Sequence, residues 1–432
     1  SGVPGSVAGM WLAHQKHGTL KWEELVQPAV TLAEQGFVVP PKLAKGVSNY
    51  IARLKEQKIN VNFEKYFADV KANKVFKQPE LAATLKRIRD NGQDGFYKGE
   101  TANIIAKFMH QHGGIINQDD LKGYTAKSRT PIKASWNGYE VLTSPPPSSG
   151  GIAILQWLKM YELQKPDAGL AHNSTQYVHL LSEIGKRVFA DRAEYLGDPD
   201  FVSVPVEALT DANYITQRAA DIQPTSISDT PSVKPGLKES EDTTHFSIMD
   251  RWGNAVANTT TINLTFGSGV VVTGAGFLLN DEMDDFSAKP GVPNFFGAVG
   301  GEANAIEPYK RMLSSMTPTL VTKDDQVVLV TGSPGGTTII SSVTQSLLNA
   351  LLYDMSAEEA VNSPRFHHQL LPKDTIRMHD GFTEATINEL KAMGYTIDNR
   401  RFGDVHLIKR TKEGVEAASE KSGRGKSLVQ PY

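Results

Sequence analysis

The sequence predicts a mixed chain of the α/β (α+β) class, and three observations carry that expectation. Helix punctuation dominates the first hundred residues. Strand-like text rich in β-branched residues begins abruptly at Thr243. Further on, a short apolar run at Val327–Val330 passes through Thr331-Gly332-Ser333-Pro334-Gly335-Gly336 into a helical pattern.

Taken in order, Gly18 and Gly36 each stop a helical stretch. Pro79 stands at the first position of a helix, where its missing N–H satisfies nothing in any case. Leu81, Leu85 and Ile88 then share a face and Gly92 ends the run. Residues 138–144 read as a strand leading into Pro145-Pro146-Pro147-Ser148-Ser149-Gly150-Gly151, and Ile152–Leu163 turns helical. Residues 221–242 hold three prolines, several Ser and Thr and little to bury, the chemistry of an exposed linker. Thr243–Asp250, the turn 251–254 and Ala255–Leu264 then predict a β-hairpin. Thr338–Leu352 reads as a helix, Ser356 with Glu359 as a capping box for another, and Thr383–Met393 as a helix stopped at Gly394. Residues 287–310 are rich in Gly and Pro without periodicity, the pattern of either a functional lid or a disordered segment.

Bulk properties exclude several functions. The 432 residues carry 45 basic and 48 acidic side chains, a net charge of −3 without long runs of one sign. No electrostatic footprint for nucleic acid or an anionic membrane is present. There is no cysteine, so thiolate catalysis, disulfides and cysteine-held metals are out. No apolar run is long enough to span a bilayer. Ser422-Gly423-Arg424-Gly425-Lys426-Ser427 has the outline of a phosphate loop, but position 420 is Glu where Gly is required. His367-His368, adjacent in a strand-like run, point to opposite faces and have no ligand-spaced partner; they read as a structural pair.

The step from polar linker to strand at Asp242–Thr243 is the most informative local feature. A threonine hydroxyl is a weak nucleophile and needs a base. A new chain terminus supplies one, because its own α-amine lies within reach and titrates near neutrality. Cleavage just before Thr243 would create that terminus, and a flexible upstream segment would admit it. Alone, the feature reads equally as a strand that happens to open with Thr243-Thr244.

Thr243-Thr244-His245-Phe246-Ser247, Thr259-Thr260-Thr261-Ile262-Asn263 and Phe266-Gly267-Ser268-Gly269 resemble the small-subunit start of the γ-glutamyltransferases, N-terminal-nucleophile hydrolases. The likeness continues through Leu279–Phe286, Ser314–Thr319 and Thr331–Gly336. Upstream, Gly2–Gly9, Pro145–Gly151 and Ala190–Asp198 are similar too. The resemblance implies a four-layer αββα sandwich, and a precursor cut at Asp242–Thr243 into a 1–242 part and a 243–432 part that pair as a heterodimer. The implied reaction transfers a γ-glutamyl group from glutathione or a related amide to water or to an amino acid or peptide, with no cofactor and no metal.

By the same resemblance Thr243 is the nucleophile, Thr261 in the adjacent strand hydrogen-bonds it, and Gly335 and Gly336 offer backbone N–H groups to the oxyanion. Asn263, Glu282 and Asp285 bind the substrate α-ammonium, and Ser314 and Ser315 its α-carboxylate. Residues 290–297 correspond to a lid loop, with Phe296 where such lids often carry tyrosine. Family members extend upstream of Gly2-Val3-Pro4-Gly5, and an arginine there pairs with the substrate carboxylate; none of the 432 residues matches it. The run after Ala418 also departs from the family ending. A periplasmic or secreted location is implied. Two rivals share the architecture: a glutaryl or cephalosporin acylase, whose substrate lacks the α-ammonium, and a non-maturing binding protein.

Overall fold

The computed structural model describes residues 1–229, 243–287 and 301–431, which form two compact units. One comprises Ser1–Ser128 with Phe266–Glu282, the other Arg129–Thr265 with Met283–Tyr432. The first is helical. Its helix Pro79–Asn91 starts on proline and ends at Gly92, and helices Ser6–His17 and Trp22–Gln35 end at Gly18 and Gly36, as the punctuation predicts. Residues 266–282 are threaded through this unit. Val272, Ala275 and Leu279 join the apolar core around Ile105 and Phe96, and the Phe266 ring lies 5.0 Å from Tyr50 and 4.9 Å from Phe63.

The second unit is layered. Its six-stranded antiparallel sheet uses β1 (Ile132–Trp136), β2 (Tyr139–Thr143), β5 (Thr319–Lys323), β6 (Gln326–Gly332), β10 (His406–Thr411) and β11 (Gly414–Ser419), in the order β11-β10-β6-β5-β2-β1. β3 (Thr244–Met249) and β4 (Ala255–Thr260) form a separate hairpin. β7 (Phe366–His368), β8 (Thr375–Met378) and β9 (Thr396–Asn399) make a small mixed sheet.

Side-chain alternation along β6 shows what lies on each face. Leu329 belongs to the core shared with α1 (Gly150–Gln164), α2 (Thr175–Tyr195) and α3 (Thr338–Leu351), and Thr331 Oγ1 lies 3.4 Å from Ser346 Oγ of α3. On the other face a Cβ added to Gly332 would meet the ring of His245 in β3. The order helix, sheet, second β-layer is thus visible in this unit. α1 is apolar around its circumference, and Gly150 to Leu158 are all buried, the pattern of a core helix between sheet and helices.

α2 is also buried, yet it carries charge. Glu183, Lys186 and Arg187 pair internally at 3.0–3.2 Å. The lysine reaches Asp374 and the arginine Asp221. A buried charge needs such partners. Lys186 Nζ also donates to the Ser228 carbonyl at 2.8 Å and Arg187 to its hydroxyl at 2.9 Å. Residues 221–229 are mostly exposed, as their composition predicts, but these bonds tie them down just short of Thr243 in sequence.

β4 is shorter than the sequence reading, ending at Thr260 rather than Leu264. Thr261 Oγ1 accepts the N–H of Asn263 at 2.8 Å, and Asn263 takes a φ of 68°; this local turn ends the ladder. Strand β6 and helix α3 form as expected, as do the capping box of Ser356 with Glu359 and the left-handed stop at Gly394. Ser422–Ser427 forms no helix. Among the described residues no helix is long and apolar enough to cross a membrane.

His367 and His368 are buried and bonded, the first to Ser341 Oγ and Gln369, the second to the Thr375 carbonyl. Burial pushes His367 down to about 3, His368 to about 4 and nearby His379 to about 4. Unfolded histidine binds its proton near pH 6.5, so the unfolded chain takes up protons first on acidification. Stability should therefore be constant above about pH 6.5 and fall towards about pH 4, each histidine contributing up to about 1.4 kcal/mol per pH unit. Urea midpoints across that range should show this slope, and His367→Gln should reduce it by about one proton.

Candidate active site

Thr243 is buried and stands immediately before β3, so the start of the hairpin holds it without using it in the ladder. A cavity of about 30 Å³ opens beside it, lined also by Thr261, Asn263, Asp285, Ser314, Ser315 and Gly336, with Leu313, Met316 and Ile339 as its apolar wall. Such a space holds a water or two. Seven of the residues singled out in the sequence thus meet at one point, although they come from five separated stretches of chain.

Four sets of elements bring them there. The hairpin supplies Thr243 at its start and Thr261 and Asn263 just past its end; Thr261 lies beyond the strand rather than in it. Asp285 ends the short helical turn Glu282–Asp285. Glu282 opens that turn and donates its N–H to the Asn280 Oδ1 at 3.2 Å, but it does not line the cavity.

Ser314 lies in an isolated bridge with Ser148. Its carbonyl accepts from Ser149 N–H and Oγ, both at 2.8 Å. Arg192 of α2, only 1% exposed, donates to Ser149 Oγ at 2.9 Å and to Ser315 Oγ at 3.1 Å. A charged donor fixes both hydroxyls. Sequence reasoning placed Arg192 in a family motif but gave it no role; its contact with Ser315 spans 123 positions, beyond any local pattern.

Gly335 and Gly336 form the turn into α3. Gly336 lines the cavity, and Gly335 precedes it in the chain. Their φ values of 132° and 55° are ones that side chains resist, and a Cβ on Gly335 would lie 2.4 Å from Thr338 Oγ1. Thr338 Oγ1 donates to the Gly335 carbonyl at 2.6 Å, closing the turn. The start of a 14-residue helix is where backbone N–H groups and the helix dipole favour negative charge.

His245 is the histidine nearest Thr243 in sequence, and the geometry gives it another task. Its Nδ1 lies 2.8 Å from Thr259 Oγ1 and its Nε2 3.0 Å from Ser247 Oγ. Burial, then the His406 ring 6.2 Å away, holds it down at about 3, so the imidazole is neutral. With both nitrogens engaged and no place in the cavity wall, it packs the hairpin onto β6. Phe296 and the Asp242 side of the Asp242–Thr243 bond lie outside the described residues. Among the described residues no group of three or more His, Cys, Asp or Glu is arranged for a metal ion.

A threonine opening an inner strand, facing a glycine turn at a helix start in a layered α+β unit, defines an N-terminal-nucleophile hydrolase. The solved cephalosporin acylase from Bacillus halodurans shares this architecture, with a TM-score of 0.83 at 25% identity over 96% of this chain and 75% of that one. The Gamma-glutamyltranspeptidase family profile matches residues 1–430, and the chain belongs to that family. It is 52% identical to the glutathione hydrolase proenzyme of Pseudomonas aeruginosa over 99% of this chain and 77% of that protein. It is 45% identical to the Escherichia coli protein of the same name, over 92% and 69%.

Close approach of the hairpin to β6 requires glycine at 332, where a Cβ would fall 2.2 Å from the His245 ring. Gly332→Ala should therefore destabilise the protein by about 1–3 kcal/mol, read as a lowered urea midpoint.

Proposed function

We propose that the chain is a proenzyme that cuts itself before Thr243 and then, as paired 1–242 and 243–432 chains, moves the γ-glutamyl group of glutathione or a related amide. The observation that carries the reading is the single cavity on which Thr243, Asp285, Ser314, Ser315 and Gly336 converge.

In the first stage Thr243 Oγ attacks the carbonyl carbon of residue 242, the peptide nitrogen leaves, and an ester joins the two parts. Water then hydrolyses the ester, leaving the carboxylate of residue 242 and restoring the Thr243 hydroxyl beside the α-amine that the broken peptide bond has already released. A cavity sized for a water or two suits that step. The bonds from α2 to residues 221 and 228 hold the upstream chain, and β3 holds the downstream chain, so the cut is made between two anchored ends.

In the second stage the α-amine accepts the hydroxyl proton as Oγ attacks the γ-glutamyl carbonyl. The same amine returns the proton to the departing nitrogen. The oxyanion faces the backbone N–H groups around Gly335 and Gly336, donors of a kind worth about 3 kcal/mol at a transition state. Thr261 steadies the hydroxyl. Asn263 and the Asp285 carboxylate hold the α-ammonium, and Ser314 and Ser315, the latter backed by Arg192, hold the α-carboxylate. Water then releases glutamate, or an amino acid or peptide amine takes the glutamyl group. The reading implies a periplasmic or secreted enzyme.

An acylase of the same fold would bind an acyl group without an α-ammonium. Asp285 in the cavity wall favours the glutamyl substrate, since a carboxylate there is a natural charged partner for an α-ammonium.

Intact mass after incubation at neutral pH should show two species, the smaller beginning at Thr243, while Thr243→Ala should remain one species and be inactive. For the 432 residues that single species has a mass of 47.2 kDa. Persistence of one uncut species in the wild type would remove the nucleophile assignment. Asp285→Asn should raise KM for a γ-glutamyl amide at least about tenfold and weaken inhibition by free glutamate, one charged contact being worth about 1.5–3 kcal/mol. No inhibition of the wild type by free glutamate would favour the acylase.

A further inference from the structure

Asn304 ends the short helical turn Glu302–Asn304 and is buried, at 3% exposure. Its side chain joins two walls of the cavity. Nδ2 donates to the Asp285 carbonyl at 2.7 Å, and Oδ1 accepts the Leu313 N–H at 2.9 Å. The Leu313 end needs an acceptor and the Asp285 end a donor, so both ends of one amide are used, in one orientation. The Asn304 backbone carbonyl also accepts the Ser287 N–H at 2.9 Å, two residues beyond Asp285.

This strut is seated on α2. Asn304 N–H donates to the Gly301 carbonyl at 3.2 Å, and Gly301 N–H to the Ala193 carbonyl of that helix at 3.3 Å. A Cβ on Gly197, just past the helix, would fall 2.3 Å from the Ala303 carbonyl oxygen, so glycine there admits the turn. The same helix end carries Arg192, which holds Ser315 Oγ. Asp198 takes the Arg311 N–H at 2.8 Å, so the alternate N–H groups of 311 and 313 are both held by buried side chains. The stretch leading to Ser314 and Ser315 is thus fixed against α2, and Asn304 carries that fixed position across to Asp285.

We propose that Asn304 is a positioning residue that sets the separation of Asp285 from the Ser314–Ser315 pair, and with it the preference for a γ-glutamyl group over a plain glutaryl group. The proposal rests on the reading in which Asp285 holds the α-ammonium and the two serines the α-carboxylate. Those two groups sit on one carbon of the substrate, so their partners must stand at one spacing. A displacement of about 1 Å in such a site can cost about a hundredfold. A glutaryl group carries the carboxylate without the ammonium, so the place of Asp285 matters little to it. Self-cleavage before Thr243 uses neither group.

The test compares wild type, Asn304→Ala and Asn304→Ser. It reads self-cleavage by intact mass, kcat and KM on a γ-glutamyl anilide, and competitive inhibition of that reaction by free glutamate and by glutarate. N304A removes both bonds, and N304S leaves a hydroxyl too short to span the two walls. Wild type should bind glutamate more tightly than glutarate. Both variants should be cut before Thr243 at the wild-type rate, with KM for the anilide and Ki for glutamate raised about tenfold and kcat little changed. Ki for glutarate should stay at its wild-type value, so the preference for glutamate falls about tenfold. A merely structural role would weaken both inhibitors together and slow the cut, and that outcome overturns the proposal. Should N304A fail to fold, N304S decides by the same ratio. A preference for glutamate that persists in the variants would overturn the part given to Asn304 and leave the reading of Asp285 standing. A mature wild type that shows no such preference would overturn both.

Discussion

His245 reaches from the strand behind the nucleophile into space that a side chain on Gly332 would otherwise take. That contact sets how closely the hairpin lies on the six-stranded sheet. The hairpin carries Thr243 at its start and Thr261 and Asn263 beyond its end, while the strand beneath it ends at the loop leading to Gly336 and the helix Thr338–Leu351. Thr243 and the glycine turn are therefore brought together by one packing distance between two β-layers. Because the imidazole is neutral and engaged at both nitrogens, this contact stores no charge.

The remaining walls of the site come from elsewhere, and each is fixed by a buried polar bond rather than by a strand. Arg192 clamps Ser149 and Ser315, and Asp404 joins the glycine loop to the C-terminal segment. The cephalosporin acylase with the same fold at 25% identity makes the division plain. The layers set Thr243 and Gly336 around one cavity, and side chains such as Asp285 complete its wall.

Much of this was legible in the sequence wherever the cause is local. Pro79 with Gly92, Ser356 with Glu359, and Gly394 mark helix ends through bonds spanning a few residues, and the structure puts those ends where they stand. The hairpin was legible from its β-branched text, but its end was not, because the Thr261–Asn263 bond competes with the ladder. Family likeness drew attention to Thr243, Asn263, Asp285, Ser314, Ser315 and Gly336 before their convergence was visible. What stayed hidden depends on contacts between distant positions. Nothing local in 266–282 reveals that it fills a helical core, nor that Arg192 meets Ser315 or Arg424 meets Thr243.

Both compact units draw residues from each side of Thr243. The helical unit joins Ser1–Ser128 to Phe266–Glu282, and the layered one joins Arg129–Thr265 to Met283–Tyr432. A cut at Thr243 therefore separates no unit from the other; it leaves each one woven from two polypeptides. Before the cut, each core forms by a chain meeting itself. Afterwards the same core can be rebuilt only when two molecules meet, at a rate that falls with dilution. A chain cut there would have pieces with little route back once lost, and its persistence would rest on the slowness of its unfolding.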